Sequence, residues 1–390
     1  MSVLSLQKPA FMQLDELNIF ESAVARFLDT HATPADTACW RTDGAVPPAL
    51  WRKAGDAGLL GVSVPVEYGG AGVDFRYDVI VMEQLGYKHA LNFAIPLHNA
   101  VIVPYLAQYG SEAQKRQWLP KAVSGEAILA VAMTEPSAGS DLQGMRTTAR
   151  RDGDRYLING QKTFISNGLQ ASIILVAAKT DPGAGARGIS LFVVETDKVR
   201  GFERGRLLHK LGQEGRDTTE LFFRDVAVPA ENLLGGVEGR GFAMLMEKLP
   251  QERMVIAWQA MAMMETALDM TVRYTHERKA FGKPLFEMQN TQFVLAELKT
   301  QATLAKTFLY YCTEQLLAGT LDAATASMAK LAVTETQGRV IDQCLQLHGG
   351  YGYMLEYPIA EMYKDARGYR IYGGTSEIMK LLIARSLRSA

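Results

Sequence analysis

This sequence contains few of the residues that build disulfide or metal sites. Its three cysteines, Cys39, Cys312 and Cys344, form no C-x-x-C pair and no even framework, so a reducing, intracellular compartment is the simplest interpretation. The six histidines are dispersed, and no H-E-x-x-H, Walker A or G-x-S-x-G motif is present. These absences argue against a metal centre and against a hydrolase.

The chain also has almost no net charge (−1) and no long apolar run, and we expect no secretory leader. Its 41 Lys and Arg balance 42 Asp and Glu, which leaves no electrostatic footprint for nucleic acid or an anionic membrane. No apolar run approaches the length that spans a bilayer, and the start, "MSVLSLQKPAFMQLDELNIF", carries acids early. We expect a bacterial cytoplasmic protein, or a mitochondrial matrix protein if a transit peptide has been removed.

The patterning of the 390 residues changes character twice, which predicts an α+β protein of three domains. Residues 1–127 show helical periodicity and predict an all-α domain. Residues 128–234 contain short apolar runs with turn signals and predict a mostly antiparallel β domain. Residues 235–390 return to helical periodicity and predict an all-α domain, with long helices near 251–278, 290–318 and 322–347. There is no βαβ alternation, which argues against a doubly wound parallel sheet.

Two kinds of turn signal lie in the predicted β domain. The pairs Asp152-Gly153 and Asn159-Gly160 predict tight hairpins. The stretch "GAGARG" at 183–188 matches the dinucleotide motif G-x-G-x-x-G, but "GISLFVVE" after it reads as a strand instead of a helix. We interpret this stretch as a hairpin loop, which disfavours a nicotinamide enzyme.

Several other stretches are individually ordinary. "AMTEPSAGSD" (132–141) is typical of a strand exit, "RKAFGKP" (278–284) of a helix stop, and "QLHGGYGY" (346–353) of a turn. Together with "QKTFISNG" (161–168) and "IYGGTSEI" (371–378), in this order and spacing, they strongly resemble the acyl-CoA dehydrogenase family of flavoproteins over nearly the whole chain. The resemblance implies an α-β-α fold whose C-terminal domain is a four-helix bundle, tightly bound FAD, an acyl-CoA substrate and a homotetramer built as a dimer of dimers. It also implies that electrons pass to an electron-transfer flavoprotein.

The resemblance assigns cofactor contacts to the middle domain. Met133 and Thr134 would meet the pyrimidine edge of the flavin, and Ser140 would contact the phosphate region of FAD or the CoA moiety. Phe164 and Ser166 would lie over the isoalloxazine, where an aromatic face suits a large planar ring.

Other assigned residues lie in the last domain. Thr375 and Glu377 would sit beside the pyrophosphate or adenine at the N-terminus of the last helix, a position that suits phosphate, although Glu377 partly opposes it. Six residues would complete the FAD site of a neighbouring subunit: Arg278, Phe281, Gln289, Gln346, Gly349 and Gly350.

The catalytic base of the family is displaced in this chain. Most members carry a glutamate directly after "IY" of the final motif, where this sequence has Gly373. The long-chain and isovaleryl branches instead place a glutamate before a helix arginine, which "LPQER" matches with Glu252. Pro250 predicts that a helix starts here, so the helix dipole would favour an ionised Glu252, whereas burial would raise its pKa. The alternative to a catalytic base is that Glu252 is a solvated acid in the first turn of the helix.

The residues beside these positions imply substrate contacts. The backbone N–H of Gly373 would donate to the thioester oxygen, with Gly374 next to it at the substrate. Arg253 matches a position near the pantetheine arm, and the equally open alternative is a structural ion pair with an acid such as Asp365.

We therefore expect α,β-dehydrogenation of a medium- or long-chain acyl-CoA to a trans-2-enoyl-CoA, as in β-oxidation, with Glu252 removing the α-proton and flavin N5 receiving the β-hydride. A branched substrate, isovaleryl-like or citronellyl-like, is the alternative with the same mechanism. Two other classes stay open: a flavin-dependent monooxygenase or oxidase on this scaffold, and a flavin-bearing binding protein of the alkylation-response type. The near-neutral charge argues against the last.

Overall fold

The N-terminal third of the chain is helical, as its periodicity predicts. The computed structural model describes residues 3–388. Two helices begin with side-chain caps: Thr33 and Asp36 form a capping box with Pro34 at the first helical position, and Ser111 caps a later helix with Gln114. A π-helical turn, His98–Ile102, separates two of these helices. The helices are α1 (Asp15–His31), α2 (Pro34–Asp43), α3 (Pro48–Asp56), α4 (Phe75–Tyr87), α5 (Ile95–Leu97), α6 (Val103–Tyr109) and α7 (Glu112–Val123).

The middle third forms a mostly antiparallel sheet, again as predicted. Within the described residues the strand order is β1-β4-β2-β3-β7-β6, and β5 pairs with β4. Only the contacts of β4 with β1 and β2 are parallel. The strands are β1 (Leu129–Ala132), β2 (Thr148–Asp152), β3 (Arg155–Ser166), β4 (Ile173–Lys179), β5 (Ile189–Glu195), β6 (Phe202–Leu207) and β7 (Thr218–Pro229).

One predicted hairpin is confirmed and the other is wrong. Asp152 pairs with Arg155, so β2 and β3 join through a tight turn at Gly153, whose φ is 66°. Asn159-Gly160 lies inside β3, where the register with β7 shifts, and forms a β-bulge instead of a turn. The "GAGARG" loop joins the antiparallel strands β4 and β5, so no helix follows it.

The C-terminal third is a helical bundle in which α10 packs against α8, α9 and α12. The predicted helix start at Pro250 is wrong, because α8 begins at Gly241 and carries Pro250 in its interior. Proline removes one backbone hydrogen bond from a helix, but the burial of Met244 and Leu245 before it keeps this segment helical. The elements are α8 (Gly241–Glu277), β8 (Lys279–Ala280), β9 (Lys283–Pro284), α9 (Gln289–Leu317), α10 (Ala323–His348), α11 (Pro358–Ala366) and α12 (Ser376–Ser386).

Two hydrophobic cores position these layers. One core joins the N-terminal and C-terminal helices, with α4 packed directly on α8, and a second core lies within the sheet. The predicted boundaries, 127/128 and 234/235, fall in connections between elements and stay predictions. No helix among residues 3–388 is long and apolar enough to cross a membrane.

Candidate active site

The loop after β1 is fastened to β3 by a buried ion pair. Lys162 Nζ lies 2.8 Å from Glu135 Oε1 and donates to the carbonyl of Met133 at 3.0 Å. The Thr163 N–H donates to the carbonyl of Thr134 at 2.9 Å. Burial lowers the pKa of Lys162 to about 8, although Glu135 opposes this. This ion pair holds Met133 and Thr134 beside the end of β3.

Phe164 and Ser166 lie at that same end of β3. Phe164 has a φ of 58° and 68% of its surface exposed, so a large apolar ring is presented outward from strained backbone. Ser166 is half-buried and pairs with Thr218 at the last position of the β3–β7 ladder. The structure therefore brings Met133, Thr134, Phe164 and Ser166 together around one exposed aromatic face.

Glu252 lies well inside α8, with only 6% of its surface exposed. Burial raises its pKa to about 7, against the opposing effects of Tyr105, Arg253 and Lys248. The Tyr105 hydroxyl donates to Glu252 Oε1 at 2.6 Å. Because Glu252 is far from the start of α8, the predicted helix-dipole effect does not act on it. Burial is therefore the dominant effect on the pKa of Glu252. The alternative of a solvated first-turn acid is also wrong.

The glycine pair of the final motif meets the same face of α8. Gly373 and Gly374 have φ values of 65° and 96°, which favour glycine. A Cβ on Gly373 would lie 2.1 Å from Ile256 Cδ1. Ile256 follows Glu252 by one helical turn, so the two share a face of α8, with Cβ atoms about 5–6 Å apart. The two predicted catalytic positions, Glu252 and Gly373, therefore adjoin one another across Ile256.

Both ends of the Gly374–Thr375 segment are held in place. Lys330 is fully buried on α10, and its Nζ donates to the Gly374 carbonyl at 2.6 Å. Burial, with Arg253 nearby, lowers the pKa of Lys330 to about 8. Thr375 caps α12, its Oγ1 accepting from the Ile378 N–H at 3.3 Å.

Arg253 does not form the ion pair with Asp365 that the sequence left open. Its Nη1 donates to Ser327 Oγ at 3.2 Å and to the Ala323 carbonyl at 3.4 Å. Asp365 pairs with Arg41 instead, at 2.6 Å. The Nε of Arg253 is buried and has no partner within the described residues. This donor therefore lacks the hydrogen bond that a buried N–H ordinarily makes.

The remaining predicted residues lie on outer surfaces. Phe281 is 96% exposed at the tip of the β8–β9 hairpin, and Arg278 stacks on the Tyr351 ring with its Cζ 5.4 Å from the ring centroid. Arg278 therefore adjoins the segment that directly follows α10 and carries Gly349 and Gly350. Their exposure is compatible with the predicted contribution to a neighbouring subunit, which stays a prediction. The exposed set is Ser140, Arg278, Phe281, Gln289, Gln346, Gly349, Gly350 and Glu377.

Sequence reasoning missed three residues of this site: Tyr105, Ile256 and Lys330. Lys330 left a usable signal, because it occupies a core position of α10 between the buried Ala326 and Val333. A lysine on an apolar face indicates a specific buried acceptor. Tyr105 and Ile256 left no such signal, since an apolar or aromatic residue in a helix is ordinarily core.

We expect Gly373→Ala to destabilise the protein through two separable effects. Alanine at positive φ costs about 1–2 kcal/mol, and the new methyl group also contacts Ile256 Cδ1. Ile256→Val removes that carbon atom, so the double variant is less destabilised than the sum of the single variants. Denaturant unfolding of the three proteins measures this coupling.

Gly58→Ala is the matched control for this series. Gly58 has a φ of 72°, and a Cβ there would meet no atom within 4 Å. It carries the backbone strain without the contact, so we expect a smaller loss than at Gly373 and no coupling to Ile256→Val. Equal losses and strict additivity would refute the contact between Gly373 and Ile256.

Comparison with known proteins places this geometry in context. Profiles described as the acyl-CoA dehydrogenase N-terminal, middle and C-terminal domains match residues 15–126, 130–226 and 239–388. The chain is similar to the long-chain specific acyl-CoA dehydrogenase, mitochondrial, of Sus scrofa: 46% identical, with 95% of this chain and 86% of that protein covered.

Solved structures of similar proteins share this fold. The crystal structure of acyl-CoA dehydrogenase from Geobacillus kaustophilus superposes with a TM-score of 0.93 at 46% identity, covering 99% of this chain and 100% of that one. A glutaryl-CoA dehydrogenase from Mycobacterium smegmatis, in complex with FADH2, superposes with a TM-score of 0.90 at 29% identity, covering 97% and 96%.

Proposed function

This chain belongs to the acyl-CoA dehydrogenase family, and we propose that it converts a medium- or long-chain acyl-CoA to the trans-2-enoyl-CoA. Members of this family are oxidoreductases that act on acyl-CoA, and their cofactor is FAD. The observation that carries the proposal is the buried carboxylate of Glu252 beside the glycine pair of the final motif.

The residues at the end of β3 fit a flavin. Phe164 offers an exposed aromatic face on strained backbone, and Met133 and Thr134 lie next to it with backbone and hydroxyl groups. Phe164, Met133, Thr134 and Ser166 would hold the ring system, and Thr375 would lie near the phosphates at the start of α12. When bound, FAD supplies the oxidant that takes up the hydride leaving Cβ.

Glu252 supplies the base. A general base works best when its pKa lies near the operating pH, and burial brings Glu252 to about 7. At neutral pH a substantial fraction is therefore ionised and able to remove the α-proton. A carboxylate side chain at position 373 would require both a positive φ and displacement of Ile256, which supports a base supplied from α8.

Backbone and arginine donors complete the proposed site. The N–H of Gly373 would stabilise the developing charge on the thioester oxygen, an effect of about 3 kcal/mol for one such donor. Arg253, which directly follows Glu252 on α8, would lie beside the pantetheine arm, as the family resemblance implies. Burial lowers the pKa of Arg253.

The substrate and acceptor follow from similarity alone. The 46% identity to a long-chain specific relative supports a straight medium or long acyl chain. We propose an electron-transfer flavoprotein as acceptor and a homotetramer as the assembly, with the exposed Arg278 and Phe281 contributing to a neighbouring subunit's FAD site.

The test is anaerobic bleaching of the oxidised flavin by a panel of straight and branched acyl-CoAs, with the enoyl product identified by mass spectrometry. Rapid bleaching by straight chains and a trans-2-enoyl product would support the proposal. Preference for a branched chain would correct the substrate class while keeping the reaction. If no acyl-CoA bleaches the flavin and the reduced protein reacts rapidly with O₂, the enzyme is a monooxygenase or oxidase and the proposal fails.

A further inference from the structure

The carboxylate of Glu252 is held by one of its two oxygens. Oε1 accepts from the Tyr105 hydroxyl at 2.6 Å, and within residues 3–388 no side chain or backbone group donates to Oε2. This arrangement fixes the orientation of the carboxylate. Oε1 is occupied by the hydrogen bond from Tyr105, and Oε2 can accept a proton or a further hydrogen bond.

Tyr105 is itself rigidly placed. It is 1% exposed on α6, directly after the π-helical turn and Pro104, and its ring packs on Tyr109 with centroids 6.2 Å apart. The neighbour of Glu252, Gln251, donates from Nε2 to the Ala100 carbonyl within that turn at 2.8 Å. The N-terminal helical layer therefore makes two hydrogen bonds to α8 at this point, and one of them is to the proposed base. π-Helical turns often occur at functional sites.

We infer that Tyr105 is a positioning residue for the proposed reaction: its hydroxyl turns Oε2 of Glu252 toward the substrate and favours the ionised carboxylate. This inference rests on the proposed function. It assigns to the N-terminal domain an indirect part in the chemistry, through a residue that lies outside the motifs of the sequence analysis.

The charged and titratable groups around Glu252 agree with this role. Lys248 and Arg253 on α8 act on it electrostatically, and α6 contributes Tyr105, with Tyr109 behind it. Burial raises the pKa of Glu252 to about 7, and the Tyr105 hydrogen bond is the largest of the effects that lower it. Burial and the nearby carboxylate raise the pKa of Tyr105 itself, so its hydroxyl remains a donor.

Tyr105→Phe tests the inference. Losing a hydrogen bond to the charged form raises the pKa of Glu252, so the profile of bleaching rate against pH moves to higher pH. A shift of one pH unit lowers the rate about tenfold at acidic pH and lets it recover at alkaline pH. Tyr109→Phe is the matched control, because it removes a hydroxyl from the same helix and leaves Glu252 untouched; we expect its profile to coincide with wild type.

A second readout needs no substrate. The melting temperature is followed against pH for wild type and Glu252→Gln, and again with Tyr105→Phe in both. The pH at which wild type and the Glu252→Gln variant diverge reports the titration of Glu252, and we expect Tyr105→Phe to move it upward. The melting experiment still tests the role of Tyr105 if no acyl-CoA of the panel bleaches the flavin. Failure of the proposed function and failure of this inference can therefore be told apart.

Two results would overturn the inference. One is a Tyr105→Phe profile that coincides with wild type. The other is a rate that falls equally at every pH while the divergence pH stays unchanged, since this would mean that Tyr105 is merely structural.

Discussion

We expect Glu252→Gln to slow anaerobic flavin bleaching by about 10²–10⁴-fold, the contribution of a positioned general base, while FAD remains bound. Glutamine keeps the size of the side chain, and its Oε1 can still accept from the Tyr105 hydroxyl. The variant therefore removes the proton acceptor and little else. Stopped-flow absorbance with the best acyl-CoA of the panel measures the rate, and the ratio of bound flavin to protein confirms occupancy.

Glu247→Gln is the matched control for this experiment. Glu247 lies earlier on α8, is exposed and accepts from Gln108 Nε2 at 2.6 Å. We expect its bleaching rate to remain close to wild type. If both variants bleach at the wild-type rate, Glu252 is not the base, and the carboxylate must come from elsewhere.

The same substitution changes stability in a pH-dependent direction. Burial raises the pKa of Glu252 from 4.5 to about 7, so the folded protein binds a proton there that the unfolded chain has released. The contribution to stability is therefore fully present below pH 4.5 and is lost as the pH rises through 7. At pH 8 the cost is on the order of 3 kcal/mol, so Glu252→Gln melts above wild type at pH 8, with the difference vanishing toward pH 4.

We expect Arg41→Met to lower the free energy of unfolding by about 2–4 kcal/mol, a little less than the loss for a fully buried pair. Arg41 on α2 contacts Glu214 between β6 and β7, and also Glu361 and Asp365 on α11, the latter two at 3.0 and 2.6 Å. One guanidinium therefore joins all three layers of the fold, and removing it leaves the buried carboxylate of Asp365 beside two other acids.

Denaturant unfolding measures this loss, with Arg52→Met as control. Arg52 is an exposed arginine on α3, and its loss should change the free energy of unfolding by less than about 0.5 kcal/mol. Adding Asp365→Asn to Arg41→Met should recover part of the stability, because the uncompensated charge disappears. Equal behaviour of the Arg41 and Arg52 variants would contradict a stabilising role for this ion cluster.

The cluster also reaches the glycine pair of the final motif. The backbone N–H of Gln213 donates to Asp365, and its Nε2 donates to the hydroxyl of Tyr372 at 3.1 Å. Tyr372 directly precedes Gly373, so the peptide whose N–H is proposed to bind the thioester oxygen is anchored through these contacts. We expect Arg41→Met to slow bleaching as well.

The order of helical, sheet and helical layers could be predicted from local sequence pattern, because periodicities of 3.6 and 2 residues depend on neighbours in the chain. The motif stretches, and the combination of a glycine at 373 with a glutamate at 252, followed instead from the resemblance to the acyl-CoA dehydrogenase family, because no periodicity marks them. The bulge at Asn159-Gly160 shows the limit of local pattern: a turn signal becomes a bulge when β7 pairs on both sides of it.

The surroundings of Glu252, in contrast, depend on tertiary packing. The packing of Met244 and Leu245 carries α8 through Pro250, which takes Glu252 away from a helix start and buries it. The hydrogen bond from Tyr105 spans 147 residues, and the contact of Arg41 with Asp365 spans 324. The pKa of a buried acid is set by such distant partners and by lost hydration. Neither can be predicted from the residues that neighbour the acid in the sequence.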